Sequence, residues 1–176
     1  EVILSTNTSS MSITEIAAST KRPDKVCGMH FFNPVPLMKL VEIIRGYSTS
    51  DQTMVTATGL AKKMGKITVE VKKDSPGFIV NRCMIPHMIE AIKIVEEGIA
   101  SIPDVDTAVK NGLNYPMGPF ELMDLTGIDI AYFVNEYFFK ELNKELKWAS
   151  PNLLKTMIRA NRLGRKTGGG WYEVGK

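Results

Sequence analysis

The sequence is poor in cysteine, with only Cys27 and Cys83 among its 176 residues. Two cysteines are too few for a disulfide framework or a four-cysteine zinc site, so a reducing, cytosolic setting fits best. The sequence also lacks uncharged apolar runs approaching the roughly 20 residues of a membrane helix, and no basic-then-apolar leader opens it. We therefore expect a cytoplasmic protein with no membrane partner and no metal.

Charge of one sign is not in large excess either. The 22 Lys and Arg residues face 19 Asp and Glu residues, which leaves a formal net charge of +3. A dedicated nucleic-acid binder carries a stronger basic asymmetry, and the basic residues here do not form a face interleaved with aromatics. We expect no nucleic-acid partner, whereas an acidic small molecule such as a nucleotide is compatible with this charge.

The first part of the chain has the pattern of an α/β fold. Short apolar runs alternate with polar helical stretches, which is typical of a sheet with crossover helices. Strands are predicted at residues 2–4, 26–32, 40–44 and 67–71, and helices at residues 12–19 and 51–64. The chain opens on Glu1, without a methionine, in what reads as a strand already under way. We therefore expect part of a longer protein.

From residue 75 onward the pattern is helical. Ser75 is a predicted cap and Pro76 suits the first turn of a long helix ending at Gly98, which Pro86 should kink. Further helices are predicted at residues 103–111, at 119–139 as one or two helices, and at 151–163, before a glycine-rich tail over 164–176. The fold class is thus α/β followed by all-α. The apolar stretches 89–95 and 128–139 exceed what a small monomer readily buries, which predicts a partner surface.

One titratable ring lies in an apolar strand. By alternation His30 shares a face with Gly28 and Phe32, next to a bend that prolines impose. A core histidine whose nitrogens are satisfied by backbone groups is one interpretation, since buried polar groups usually find partners. A histidine that carries chemistry is the other.

A carboxylate in the next strand bears on this choice. Glu42 shares a face with Leu40 and Ile44, where an unpaired charge would cost several kcal/mol. Because the chain reverses between the two strands, Glu42 and His30 could lie close enough to pair. A carboxylate that holds an imidazole fixes its tautomer, which prepares the imidazole as a general base. Spacing alone leaves both interpretations open.

Two further polar clusters could complete such a site. Asn7-Thr8-Ser9-Ser10 follows the first strand at its carboxyl end, where open α/β sheets bind ligands. Ser and Thr at that place also cap the next helix. Asn81 lies among large apolar residues near the start of the predicted long helix. Its two interpretations are a buried structural amide and a ligand contact.

Five stretches follow one another in a distinctive order. The most specific is Gly28-Met29-His30-Phe31-Phe32-Asn33-Pro34-Val35-Pro36-Leu37-Met38-Lys39-Leu40-Val41-Glu42. The others are Asn7-Thr8-Ser9-Ser10, Pro76-Gly77-Phe78-Ile79-Val80-Asn81-Arg82, Pro116-Met117-Gly118-Pro119 and Gly164-Arg165-Lys166-Thr167-Gly168. Together they resemble the 3-hydroxyacyl-CoA dehydrogenase family, most of all its compact bacterial 3-hydroxybutyryl-CoA members.

The resemblance implies an oxidoreductase that interconverts (S)-3-hydroxyacyl-CoA and 3-oxoacyl-CoA with NAD or NADP, in fatty-acid or butanoate metabolism. It implies that His30 is the general base and Glu42 its orienting partner, and that Ser9 and Asn81 bond the reacting substrate. Cofactor contacts are implied for Asn7, Ser9, Asn33 and Lys166. The helical part is implied to form the interface of a homodimer.

One feature of the family has no counterpart in this sequence. Its members begin with a strand, a Gly-x-Gly-x-x-Gly turn and a helix that hold the cofactor's pyrophosphate. We therefore expect residues 1–74 to be the carboxyl-terminal portion of a Rossmann-type NAD(P)-binding domain whose amino-terminal part is missing, and residues 75–176 to be the helical dimerisation and substrate domain. Such a chain should bind NAD weakly if at all. A truncated, inactive dimerisation module is the alternative function.

Overall fold

The computed structural model describes residues 2–173. They form two compact units that divide between Arg82 and Cys83. The first unit contains β1 (Leu4–Thr6), α1 (Ile13–Ala18), β2 (Val26–Phe31), β3 (Leu40–Ile44), α2 (Asp51–Lys63) and β4 (Ile67–Val71). The second unit is helical. An α/β sheet followed by helices is therefore confirmed as the fold class.

The sheet of the first unit is mixed, in the order β1-β2-β3-β4. β1 runs parallel to β2 and β3 runs parallel to β4, whereas β2 and β3 are antiparallel. Alternation along the strands separates two apolar faces. On one face, Cys27, Met29, Val41 and Ile43 of the strands pack against Met54, Ala57 and Ala61 of α2. On the other face, Ile44 and Val71 pack with Ile13 of α1 and with Phe78.

A glycine in β2 lets α1 approach the sheet. A Cβ atom at Gly28 would lie 2.8 Å from Cδ1 of Ile44 and 2.9 Å from Cδ1 of Ile13, closer than packed carbons tolerate. By alternation Gly28 shares its face with His30. The absence of a side chain here therefore fixes how closely α1 covers the strand that carries the histidine.

Two predicted boundaries in this unit are wrong. The first strand is Leu4–Thr6 rather than residues 2–4, because its parallel partner is Val26–Gly28 and this register determines which residues pair. The long helix α3 begins at Val80 rather than at Ser75. Gly77 and Phe78 have φ angles of 76° and 53°, and this left-handed backbone is incompatible with a right-handed helix.

The second unit comprises α3 (Val80–Glu96), whose first turn belongs to the first unit, α4 (Ile102–Gly112), α5 (Pro119–Thr126), α6 (Ile128–Glu141) and α7 (Asn152–Arg159). Gly127, with φ of 109°, separates α5 from α6, so residues 119–139 belong to two helices. The last helix ends at Arg159 rather than at residue 163, because the chain turns there and Asn161 is left-handed, with φ of 54°. Pro86 lies inside α3, as predicted.

Two buried carboxylates hold the glycine-rich tail. Asp124 accepts the backbone N–H groups of Trp171 and Tyr172, each at 2.9 Å. Asp106 accepts the hydroxyl of Tyr172 at 2.7 Å and the N–H of Phe120 at 2.9 Å. Burial, and then the bond to Asp106, raise the pKa of Tyr172, so its hydroxyl remains a donor. The last three residues of the predicted tail lie outside the described residues.

Within residues 2–173, none of the helices combines the length and the apolar character that a bilayer crossing requires.

Candidate active site

His30 and Glu42 are directly opposite each other in the antiparallel pair of β2 and β3. Nδ1 of His30 lies 2.7 Å from Oε2 of Glu42. The two residues are 3% and 0% exposed, so neither side chain has bulk water as an alternative partner. The pairing that the sequence left open is therefore present.

The other carboxylate oxygen of Glu42 is satisfied by backbone. Oε1 accepts the N–H groups of Ile79 and Val80, each at 3.0 Å. These groups belong to the start of α3, where helix N–H groups have no partner within the helix. Glu42 thus joins the histidine to the first turn of a helix, and its buried carboxylate makes three hydrogen bonds.

This pattern of donors favours one tautomer of His30. Two backbone N–H groups that donate to Oε1 stabilise the ionised carboxylate of Glu42, which can only accept hydrogen bonds. The Nδ1–H of the imidazole then donates to Oε2, and the lone pair of Nε2 faces Oγ of Ser9 at 3.2 Å. The rings of Phe32 and Phe78 pack on the imidazole with centroid distances of 4.5 and 5.5 Å. An imidazole oriented in this way can take a proton at Nε2.

Three other predicted residues gather near the pair. Nδ2 of Asn81 donates to the backbone oxygen of Ser9 at 3.4 Å. Oδ1 of Asn7 accepts the N–H of Phe31 at 2.9 Å, next to His30 in β2. The cap of α1 is Ser12, whose Oγ accepts the N–H of Glu15, rather than one of residues 7–10. Ser9 therefore does not cap that helix and faces the histidine instead.

Asn33 is exposed shortly after β2, at the edge where the parallel strands β1 and β2 both end. The connection that follows it is held by Nζ of Lys66, which donates to the backbone oxygens of Val35 at 2.6 Å and Met38 at 2.8 Å. This interaction closes the connection against the start of β4. Asn33 thus lies at the same edge of the sheet as the residues that follow β1.

Lys166 is the one predicted site residue that belongs to the second unit. Its Nζ lies 2.5 and 2.6 Å from the two carboxylate oxygens of Asp129. This hydrogen-bonded ion pair lowers the pKa of Asp129. Over residues 2–173, no three His, Cys, Asp or Glu side chains cluster as metal ligands.

Two features of the site were not anticipated from the sequence: the backbone donors to Glu42 and the ring of Phe78 beside His30. The donors result from the turn at Gly77 and Phe78, which delays the start of α3. The dipeptide Pro76-Gly77 is a strong turn signal that could have indicated this. Ser75 and Pro76 also match the start of a helix, and that competing pattern led to the wrong boundary.

The sheet and its crossover helices define a Rossmann-like α/β protein, in which the buried pair of His30 and Glu42 lies in the antiparallel strands β2 and β3. Two family models match the chain. The 3-hydroxyacyl-CoA dehydrogenase NAD binding domain covers residues 1–75, and the 3-hydroxyacyl-CoA dehydrogenase C-terminal domain covers residues 77–174. The chain belongs to the 3-hydroxyacyl-CoA dehydrogenase family.

Individual relatives agree with the family models. The chain is 52% identical to a 3-hydroxybutyryl-CoA dehydrogenase of Clostridioides difficile, over 100% of this chain and 62% of the relative. It is 46% identical to the human mitochondrial hydroxyacyl-coenzyme A dehydrogenase, over 97% of this chain and 54% of the relative. The crystal structure of (S)-3-hydroxybutyryl-CoA dehydrogenase from Ralstonia eutropha superposes with a TM-score of 0.95 at 46% identity, covering 99% of this chain and 61% of that one. The chain thus spans between half and two thirds of the length of these relatives.

The expectation that the amino-terminal part of the NAD-binding domain is missing is not borne out, because the family model of that domain matches residues 1–75. A glycine-rich turn is only one part of such a domain. The strands that carry His30 and Glu42 are another part, and they are present. The absence of the Gly-x-Gly-x-x-Gly turn was therefore too narrow a criterion for judging that part of the domain is missing.

Proposed function

We propose that this chain provides the acid–base pair of an oxidoreductase that interconverts (S)-3-hydroxyacyl-CoA and 3-oxoacyl-CoA, with 3-hydroxybutyryl-CoA as the substrate and NAD or NADP as the cofactor. The observation that carries the proposal is the buried contact of 2.7 Å between Nδ1 of His30 and Oε2 of Glu42, which leaves Nε2 facing Ser9. The names of the relatives indicate the substrate class.

In this mechanism Nε2 of His30 takes the proton of the substrate's 3-hydroxyl during oxidation and returns it during reduction. The carboxylate of Glu42 stabilises the imidazolium that forms, because its Oε2 already accepts the Nδ1–H. Ser9 and Asn81 are the groups proposed to bond the reacting oxygen. A bound nicotinamide would accept or supply the hydride at the same carbon.

The nicotinamide end of a dinucleotide fits the carboxyl edge of β1 and β2. Asn7, Ser9 and Asn33 follow these parallel strands, and α/β sheets bind nucleotides at such an edge. The family resemblance adds Lys166 as a further contact. No residue is assigned to the pyrophosphate, since the sequence has no Gly-x-Gly-x-x-Gly turn. We assign residues 1–74 to the cofactor-binding part and residues 75–176 to a substrate and dimerisation part.

Replacement of His30 by Gln tests this function. General-base action contributes about 10²–10⁴-fold, so His30→Gln should lower acetoacetyl-CoA-dependent NADH oxidation by about that factor. His87→Gln is the matched control, because His87 is the only other histidine and lies in the second unit. Turnover near that of the unsubstituted protein in His30→Gln would remove His30 from the mechanism.

A dimerisation module without activity is the second candidate. Ile130 and Phe133 lie one turn apart on α6 and are 51% and 63% exposed, which suits an apolar interface between two copies. Light scattering with an NADH titration separates the candidates. Dimers that neither bind NADH nor turn over favour the module, whereas measurable turnover favours the enzyme. A cytoplasmic location stays a prediction.

A further inference from the structure

We infer that the left-handed turn at Gly77 and Phe78 is a positioning element that sets the tautomer of His30 through Glu42. This inference rests on the proposed role of His30 as a general base. Phe78 has φ of 53°, which is uncommon for a residue with a side chain. Residues with such a backbone conformation persist only where the surrounding structure holds them, and they cluster at active sites and ligand contacts.

The turn determines what the next two N–H groups can reach. In a helix that began at Ser75, the N–H of Ile79 would bond the carbonyl of Ser75, and the N–H of Val80 would bond the carbonyl of Pro76. In the structure the carbonyl of Ser75 instead accepts the N–H of Phe78, at 3.1 Å. The N–H groups of Ile79 and Val80 both donate to Oε1 of Glu42 at 3.0 Å.

These two donors control the histidine. While both bind Oε1, they stabilise the ionised carboxylate, which only accepts hydrogen bonds, so that Oε2 accepts the Nδ1–H of His30. If the turn relaxed and withdrew them, the fully buried carboxylate of Glu42 would keep the imidazole as its one hydrogen-bond partner among the described residues. A buried carboxylate in that state is costly. Uptake of one proton from solvent would then give a neutral carboxyl group that donates from Oε2 to Nδ1, with the imidazole proton on Nε2. That tautomer cannot accept a proton at Nε2.

Phe78 could also act through its ring. The side chain is 4% exposed, packs with Ile13, Ile44 and Val71, and lies 5.5 Å from the imidazole. A test must therefore change the backbone preference of residue 78 without changing the apolar bulk. Leucine and isoleucine are isomers that differ in branching at Cβ. A β-branched residue is a far stronger outlier at positive φ than an unbranched one.

The experiment records the nitrogen-15 spectrum of the histidine side chains in the 176-residue chain, which holds two histidines. His87→Gln assigns the signals. We expect Phe78→Leu to retain the Nδ1–H tautomer of His30. Phe78→Ile should lower the ratio of the Nδ1–H to the Nε2–H tautomer on the order of tenfold. Circular dichroism and thermal unfolding establish that both variants are folded.

Equal tautomer ratios in the two folded variants, whether retained or lost together, would overturn the inference. If Phe78→Ile does not fold, Gly77→Ala replaces it as the variant that tests the turn, and Gly65→Ala is its control. Gly65 has φ of 75°, matching the 76° of Gly77, and an added Cβ would meet nothing within 4 Å. The ratio should fall in Gly77→Ala alone, and equal ratios in both would contradict the role of the turn. The spectra need no substrate, so an absence of turnover leaves this result unaffected.

Discussion

The contact between His30 and Glu42 should be measurable as a coupling free energy in this chain, independently of catalysis. A double-mutant cycle combines Glu42→Gln, His30→Phe and the double variant. Glutamine keeps the shape of the side chain, and its carbonyl oxygen can still accept the N–H groups of Ile79 and Val80. Phenylalanine keeps a ring between Phe32 and Phe78 but removes both nitrogens. The two substitutions therefore address the same contact from opposite sides.

The structure sets the expected magnitude. The contact is 2.7 Å long between groups that are 3% and 0% exposed, so solvent does not screen it. A hydrogen bond to a charged group contributes about 1.5–3 kcal/mol to stability. His30→Phe alone should cost more, about 3–5 kcal/mol, because it leaves a buried carboxylate without its partner. Glu42→Gln should destabilise the His30→Phe variant by about 1.5–3 kcal/mol less than it destabilises the unsubstituted chain. This difference is the coupling free energy.

Urea unfolding followed by far-ultraviolet circular dichroism is the suitable assay. Tryptophan fluorescence would report the wrong region, since Trp148 and Trp171 both lie in the second unit. A coupling below about 0.5 kcal/mol, which is the usual error of additivity, would refute the reasoning. It would mean that His30 and Glu42 stabilise the fold separately rather than as a pair.

Three further predictions concern other parts of the chain. Tyr172→Phe removes the hydroxyl that donates to Asp106, so thermal unfolding should show a loss of about 1–3 kcal/mol, and an unchanged midpoint would contradict this. Because Lys166 lowers the pKa of Asp129, their pair stabilises the protein above the ordinary carboxyl range and loses this effect as the pH falls through the lowered pKa. Lys166→Met should therefore cost less than about 1 kcal/mol near neutral pH and nothing measurable in acid, and an equal loss at both would exclude the pair as its cause. Gly59→Ala in α2 meets nothing within 4 Å and should stabilise the chain by about 0.5–1 kcal/mol in urea unfolding, whereas destabilisation would show an unrecognised contact.

Local sequence patterns were sufficient to predict those helices and strands whose ends are set by neighbouring residues in the sequence. The predicted start of a helix at residue 51 and the predicted strands over residues 40–44 and 67–71 agree with α2, β3 and β4. The start of α3 was missed because Ser75 and Pro76 form a good local start for a helix. The chain instead turns and donates to Glu42, which is 37 residues away along the sequence from Ile79. A contact at that separation has no signature in a local pattern.

Alternation with a period of two residues was enough to place His30 and Glu42 on the same face as apolar neighbours, because side chains alternate in any strand. The motifs were enough to indicate the family. Only the folded sheet decided that these two residues are direct partners, because the register of β2 and β3 depends on packing across the whole sheet. The third and fourth participants, the N–H groups of Ile79 and Val80, came from a turn that the tertiary contact with Glu42 stabilises.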